Sequence, residues 1–295
     1  MTIAHVADIH FEGRADAAKK GLQKLKKAGL IGARARLVNE PAVLHLAPSG
    51  LSILSERGLL TNYPPLGGPA LKRRAGVSEF TLAHELEVMD VKAAFHAAIG
   101  NDQTLSIVEF STWPKLYEFQ MAGGGTVKPD GFSMIHERKA DETVLEHNFF
   151  VEVDRSTEMH ETLISRACCY LDYYKSGGFA EWIGAARSAF ASHPFRVLMV
   201  LKSEERRNNM AEELLNLTPP ILAQVWLSTS EEVTTRPLDA IWIRPLDYRE
   251  AVTGTRHDML FSRPQWPYRR QTSRDIFVRE KIKKQMLFPP PPPIP

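Results

Sequence analysis

The sequence predicts an α/β (α+β) chain: a small helix-and-ribbon module, then a mixed sheet flanked by helices. Three observations carry that expectation. Across residues 78–250 the apolar period switches in the order helix, strand, strand, strand, helix, strand, helix, strand. Hydrophobic residues make up 43% of the 295 and charged ones 24%, which suits a folded domain and is too apolar for a disordered chain. Charge is also partitioned. Residues 1–75 hold twelve Lys/Arg against five acids (+7), residues 262–285 eight against two (+6), and residues 76–261 carry −11, within a net charge of +2. Basic ends around an acidic middle suit a polyanion-binding module joined to something else, or simply solvated basic helix faces. No stretch approaches the ~18 apolar residues of a membrane span. Met1–His10 has neither the basic start nor the apolar run of a secretory signal. The two cysteines, Cys168 and Cys169, are adjacent and suit neither a disulfide nor a zinc pair. A reducing, cytoplasmic setting without a membrane partner is the default expectation.

In residues 1–58, Leu22, Leu25, Ala28 and Gly29 sit at helical spacing, with Lys19, Lys20, Lys24, Lys26 and Lys27 on the other faces. Arg34 to Val38 and Ala42 to Ala47 read as two short strands about Asn39-Glu40-Pro41. Pro48 opens another helix, Ser49 to Arg57, which Gly58 closes. Helix, ribbon, helix is the second half of a winged helix-turn-helix. The basic helix would enter the major groove of double-stranded DNA, and the hairpin would be the wing. Lys19, Lys20, Lys24, Lys27, Arg34 and Arg36 are the expected DNA contacts. The rival reading is a generic α/β piece or a protein-docking wing. Met1 to Arg14 is too short for the two helices that precede a recognition helix. The module is therefore expected to be partial, or completed by another chain.

Residues 59–77, with their prolines, glycines and Lys72-Arg73-Arg74, read as a linker. From Ser78 the expected elements are helix Thr81–Ile99, strand Thr104–Phe110 and a short helix Pro114–Gln120. Gly123-Gly124-Gly125 lacks the Gly-Lys-Ser/Thr of a phosphate loop. Strands Gly131–His136 and Asn148–Val153 follow, with Glu137–Glu146 as the turn. Then come helix Glu158–Tyr174, a helical Ala180–Ser192, strand Phe195–Leu201, helix Glu204–Leu217, and strands Ile221–Leu227 and Ala240–Ile243. Residues 251–295 form a basic, proline-rich tail that either touches phosphate or stays disordered.

Pro129-Asp130 stands at the start of the second strand of the larger block, and Glu152-Val153-Asp154 ends the third. Period-two alternation puts Glu152 and Asp154 on one face, and pairing of the strands brings Asp130 beside them. Carboxylates converging at ~5 Å spacing suit a hard divalent cation such as Mg2+ or Mn2+. Such a cation can orient water and stabilise the leaving oxygen of a phosphodiester. The bland alternatives are a turn-entry aspartate at Asp130 and a salt bridge from Glu152 to Arg155 or Arg166. Glu158 either joins the site or favours a helix N-terminus. His84 and the tyrosines Tyr170, Tyr173 and Tyr174 read mainly as packing residues.

The layout resembles the restriction-endonuclease-like PD-(D/E)XK fold. The stretches Thr81-Leu82-Ala83-His84-Glu85-Leu86, Val127-Lys128-Pro129-Asp130-Gly131 and Phe149 to Glu158 resemble more specifically the replication-relaxation family. That family includes relatives of MobC-type mobilisation relaxases. The resemblance implies a winged helix before a nuclease-like domain, and a role on plasmids or other mobile elements. It implies catalytic positions at Asp130, Glu152, Asp154, Glu158 and Arg166, with Asp130, Glu152 and Asp154 as metal ligands. One departure stands out: the motif's lysine is replaced by Asp154. Arg155 or Arg166 must then supply the positive charge, and arginine cannot act as a base. The expected function is DNA binding in replication, relaxation or mobilisation, at an origin-like site, with metal-dependent nicking. The alternative is a non-cleaving regulator or adaptor. Self-association or a replication or transfer partner is a further expectation.

Overall fold

The computed structural model describes residues 1–252 except 35–39, 62, 64–66, 68, 70–75, 116, 121–125 and 156–159. Arg36, Glu158, the three consecutive glycines and the basic tail lie outside the described residues.

An eight-residue helix, α1 (Ile3–His10), precedes the basic helix. A capping box sets its start: the Thr2 hydroxyl accepts from the His5 amide (3.3 Å), and the Thr2 amide donates to His5 Nδ1 (3.2 Å). The usual acid at the third position is a histidine here, so this helix was not legible as one. The turn after α1 passes through Gly13 at φ 75°, a left-handed conformation that glycine adopts without strain. Then come α2 (Ala15–Lys27), the antiparallel pair β1 (Ile31–Ala33) and β2 (Leu44–Leu46), and α3 (Pro48–Glu56). Val6, Ala7 and Ala18 form the buried centre of this module, with Ile3, Phe11 and Leu22 packed around them.

Helix α4 (Glu79–Gly100) starts where the Ser78 hydroxyl accepts from the Thr81 amide, 3.1 Å away. Its Val88, Val91, Phe95 and Ile99 enter the core of the sheet. Its other flank meets α1, where His5 Nε2 lies 2.6 Å from Asp90. Covered on two sides, α4 buries more than the single face that Leu82, Leu86, Met89, Ala93 and Ile99 suggest from spacing.

The sheet contains β3 (Leu105–Ser111), β6 (Gly131–Arg138), β7 (Val144–Val153), β8 (Arg196–Leu201) and β9 (Val225–Thr229), in the order β3-β6-β7-β8-β9. The first three run antiparallel; β7, β8 and β9 run parallel. Parallel neighbours need crossovers, supplied by α5 (His160–Lys175) with α6 (Gly178–Trp182), and by α7 (Glu204–Asn216). One face packs Phe132, Phe150, Tyr170, Phe195 and Met199; the other packs Phe95, Phe149, Val151, Leu198 and Trp242. With both faces covered, β7 is an almost continuous buried run rather than an alternating one.

Several expected boundaries move. Pro114–Gln120 is not a helix: Phe119–Gln120 is strand β4, paired with β5 (Thr126–Val127), because Phe119 turns into the core and Gln120 to solvent. The turn between β6 and β7 is shorter than Glu137–Glu146, since those polar residues pair across the ladder. Ala180–Ser192 is split between α6 and a 3-10 turn, Arg187–Ser192, with Gly184 at φ 84° between them. Ala240–Ile243 contributes a single bridge, Leu227 to Ile243. After that bridge the chain ends its described part in α9 (Pro245–Val252), preceded by the short α8 (Ser230–Thr235).

Candidate functional site

The basic surface lies on α2. Lys19, Lys20, Lys24, Lys26 and Lys27 are all exposed, and among the described residues none enters an ion pair. Ala18 holds the opposite side of the helix down, which fixes the direction in which the lysines project. Arg34 does not join them. Its guanidinium donates to the Val77 carbonyl (2.8 Å) and to Glu79 (2.6 Å), tying the hairpin to the start of α4.

The acids stand at one end of the sheet. The register Gly131 to Val151 sets Asp130 opposite Glu152 across the β6–β7 pair. Asp130 Oδ2 accepts from the Val153 amide (2.8 Å), and Oδ1 lies 2.8 Å from His84 Nε2. That hydrogen bond leads the causes that raise the His84 pKa. Glu152 is 2% exposed, on the face of β7 that carries Phe150. Its Oε1 accepts from the Tyr170 hydroxyl (2.6 Å) and its Oε2 from Arg166 Nη1 (2.9 Å). Arg166 and Tyr170 are one helical turn apart on α5, so they reach the same carboxylate. Burial, then the charge of Glu152, holds the Tyr170 hydroxyl well above the usual phenol range. It is a proton donor with no exposed surface, which does not suit a nucleophile.

Asp154 is 4% exposed and is gripped by both Nε and Nη2 of Arg206. Arg206 was not found by sequence reasoning. It lies in the first turn of α7, whose N-cap hydroxyl, Ser203, accepts from the Arg206 amide. The parallel register Val153 to Val200 brings this turn to Asp154, and that pairing is not encoded locally. Arg155 points away from the acids, to Glu87 (3.3 Å), the Phe80 carbonyl (2.9 Å) and the Phe80 ring. Lys202 completes the rim, 3.9 Å from Glu87. Arg166 meets Glu152, while Asp130 lies against His84 and Asp154 against Arg206, so each acid has its own protein partner. Among the described residues, no three His, Cys, Asp or Glu side chains form a group suited to a metal ion.

The model of the replication-relaxation family matches residues 1–184. The chain belongs to that family. The match runs from α1 through α6, taking in the lysine helix, His84, Asp130, Glu152, Asp154 and Arg166, and it ends before β8 and Arg206. Membership of the replication-relaxation family suggests a role in replication or relaxation of a plasmid or mobile element, and it implies involvement with DNA. No curated protein and no solved structure matches the chain. No described helix is long and apolar enough to cross a membrane.

Proposed function

We propose that this protein binds duplex DNA through α2, at an origin-like site of a plasmid or mobile element, and regulates replication or relaxation without cutting. The observation that carries the reading is the exposed face of five lysines, none of them engaged in an ion pair among the described residues. Charge left free on a fixed helix face is available to phosphate, and release of condensed counterions drives such binding. The turn between α1 and α2 gives the helix-turn-helix layout that presents a second helix to the major groove. Cognate supercoiled DNA titrated with the full chain at several salt concentrations tests it. Affinity that ignores salt would remove α2 from the interface.

A second reading keeps cleavage. Asp130 stands next to the Gly131–Val151 pair and Glu152 on the facing strand, an arrangement that keeps a Mg2+- or Mn2+-dependent nickase in play. Incubating the protein with supercoiled cognate plasmid and Mg2+, Mn2+ or chelator separates the two readings. Metal-dependent open circles would establish the nickase.

A further inference from the structure

We propose that Arg166 and Arg206, with His84, take the place of a divalent cation at the acid site, so that the site is complete without metal. This deepens the non-cleaving reading of the sheet domain; DNA binding by α2 does not depend on it.

The geometry is one basic side chain for each acid. Glu152 has Arg166 at 2.9 Å, Asp154 has the two-pronged grip of Arg206, and Asp130 has His84 at 2.8 Å. Glu152 and Asp154 are almost fully buried, and a buried carboxylate demands a hydrogen-bonded countercharge. One Glu152 oxygen is also fixed by Tyr170, and one Asp130 oxygen by the Val153 amide. Among the described residues the ion pairs here join four acids, Asp130, Glu152, Asp154 and Glu87, to Arg155, Arg166, Arg206, Lys202 and His84. A divalent ion reaching Glu152 and Asp154 would have to displace two guanidinium groups and leave them beside a doubly charged ion. Like charges at such distances in a water-poor site oppose that exchange strongly. The replacement of the motif lysine by Asp154 fits the same scheme, because an acid there supplies the carboxylate that Arg206 needs.

The test is Mn2+ binding by the full chain, followed by the loss of the free-ion electron paramagnetic resonance signal and by melting temperature. The wild type should leave the signal undiminished and melt at the same temperature with and without Mn2+. Arg206→Gln takes the guanidinium away from Asp154, and Arg166→Gln, at a side chain one-third exposed, takes it away from Glu152 with less risk to folding. A folded variant should gain at least about tenfold in Mn2+ affinity. It should also gain an Mn2+-dependent rise in melting temperature, which Glu152→Gln added to Arg206→Gln removes. One-to-one Mn2+ binding by the wild type, abolished by Glu152→Gln, would overturn the proposal. So would folded arginine variants that still ignore Mn2+, because the arginines would then not be what keeps the ion out. If neither variant folds, the wild-type titration decides alone.

Discussion

The lysine helix and the acid site hold comparable amounts of charge in opposite ways. On α2 the charges are exposed and, among the described residues, unpaired. At the end of the sheet Glu152 and Asp154 are buried and matched group for group. Exposed charge adds little to folding and stays available to an outside partner. Buried paired charge is committed inside the molecule, and either half left alone is costly. The difference teaches where a binding function can sit without disturbing the fold, and where a substitution disturbs the fold before it touches function.

The largest expected effect tests the committed side. Arg206→Ala leaves Asp154 buried without its guanidinium and should destabilise the protein by about 3–5 kcal/mol in denaturant unfolding. A loss below about 1 kcal/mol would show that the pair is not what secures β7 to α7. Next is Tyr170→Phe, which removes one donor from Glu152 while keeping the ring. About 1–3 kcal/mol should be lost, and less than Arg206→Ala costs.

A half-buried base between the two extremes gives a pH-dependent prediction. Burial, then the charges of Lys92 and His10, lowers the His96 pKa to about 4. The unfolded chain takes up that proton near pH 6.5, as free imidazole does. The stability that His96 contributes as a neutral group is therefore complete above that value and is lost as pH falls through about 4. Urea midpoints at pH 7.5 and 5 should diverge more for the wild type than for His96→Gln. Equal divergence would place the acid sensitivity elsewhere.

The smallest stability effect belongs to the open side. Lys20→Ala, Lys24→Ala and Lys27→Ala combined should change unfolding free energy by no more than about 0.5 kcal/mol. The same variant should reduce the slope of log affinity against log salt by about 2.7, at roughly 0.9 per phosphate contact. A large stability loss with an unchanged slope would reverse the comparison.

What was legible in the sequence follows from how local each signal is. Phe149 to Val153, apolar apart from Glu152, announced a buried strand with a carboxylate that needs a partner, and Arg166 is that partner. Tyr170 read mainly as a packing residue, yet its hydroxyl shares the Glu152 carboxylate with Arg166, a contact that depends on how α5 lies across β7. Arg206 was not legible because its encounter with Asp154 depends on a parallel pairing across an intervening crossover. Helix α1 was missed because its cap uses a histidine where an acid would have signalled it. Pro114–Gln120 misled because alternation over two residues is too short to tell from a helical turn.

Helix α4 has one more consequence, for how the molecule comes apart. Among the described residues, Val6, Ala7, Ala18 and Leu51 are the module's buried apolar side chains, a slight core for an independent unit. The module therefore borrows α4, through His5 on Asp90 and Arg34 on Glu79 and the Val77 carbonyl, while the same helix supplies Val91 and Phe95 to the sheet. Heat or denaturant should accordingly melt both parts in one cooperative transition, with fluorescence and circular dichroism superimposable. A protease cut between α3 and α4 would release two pieces, of which the smaller could not refold alone.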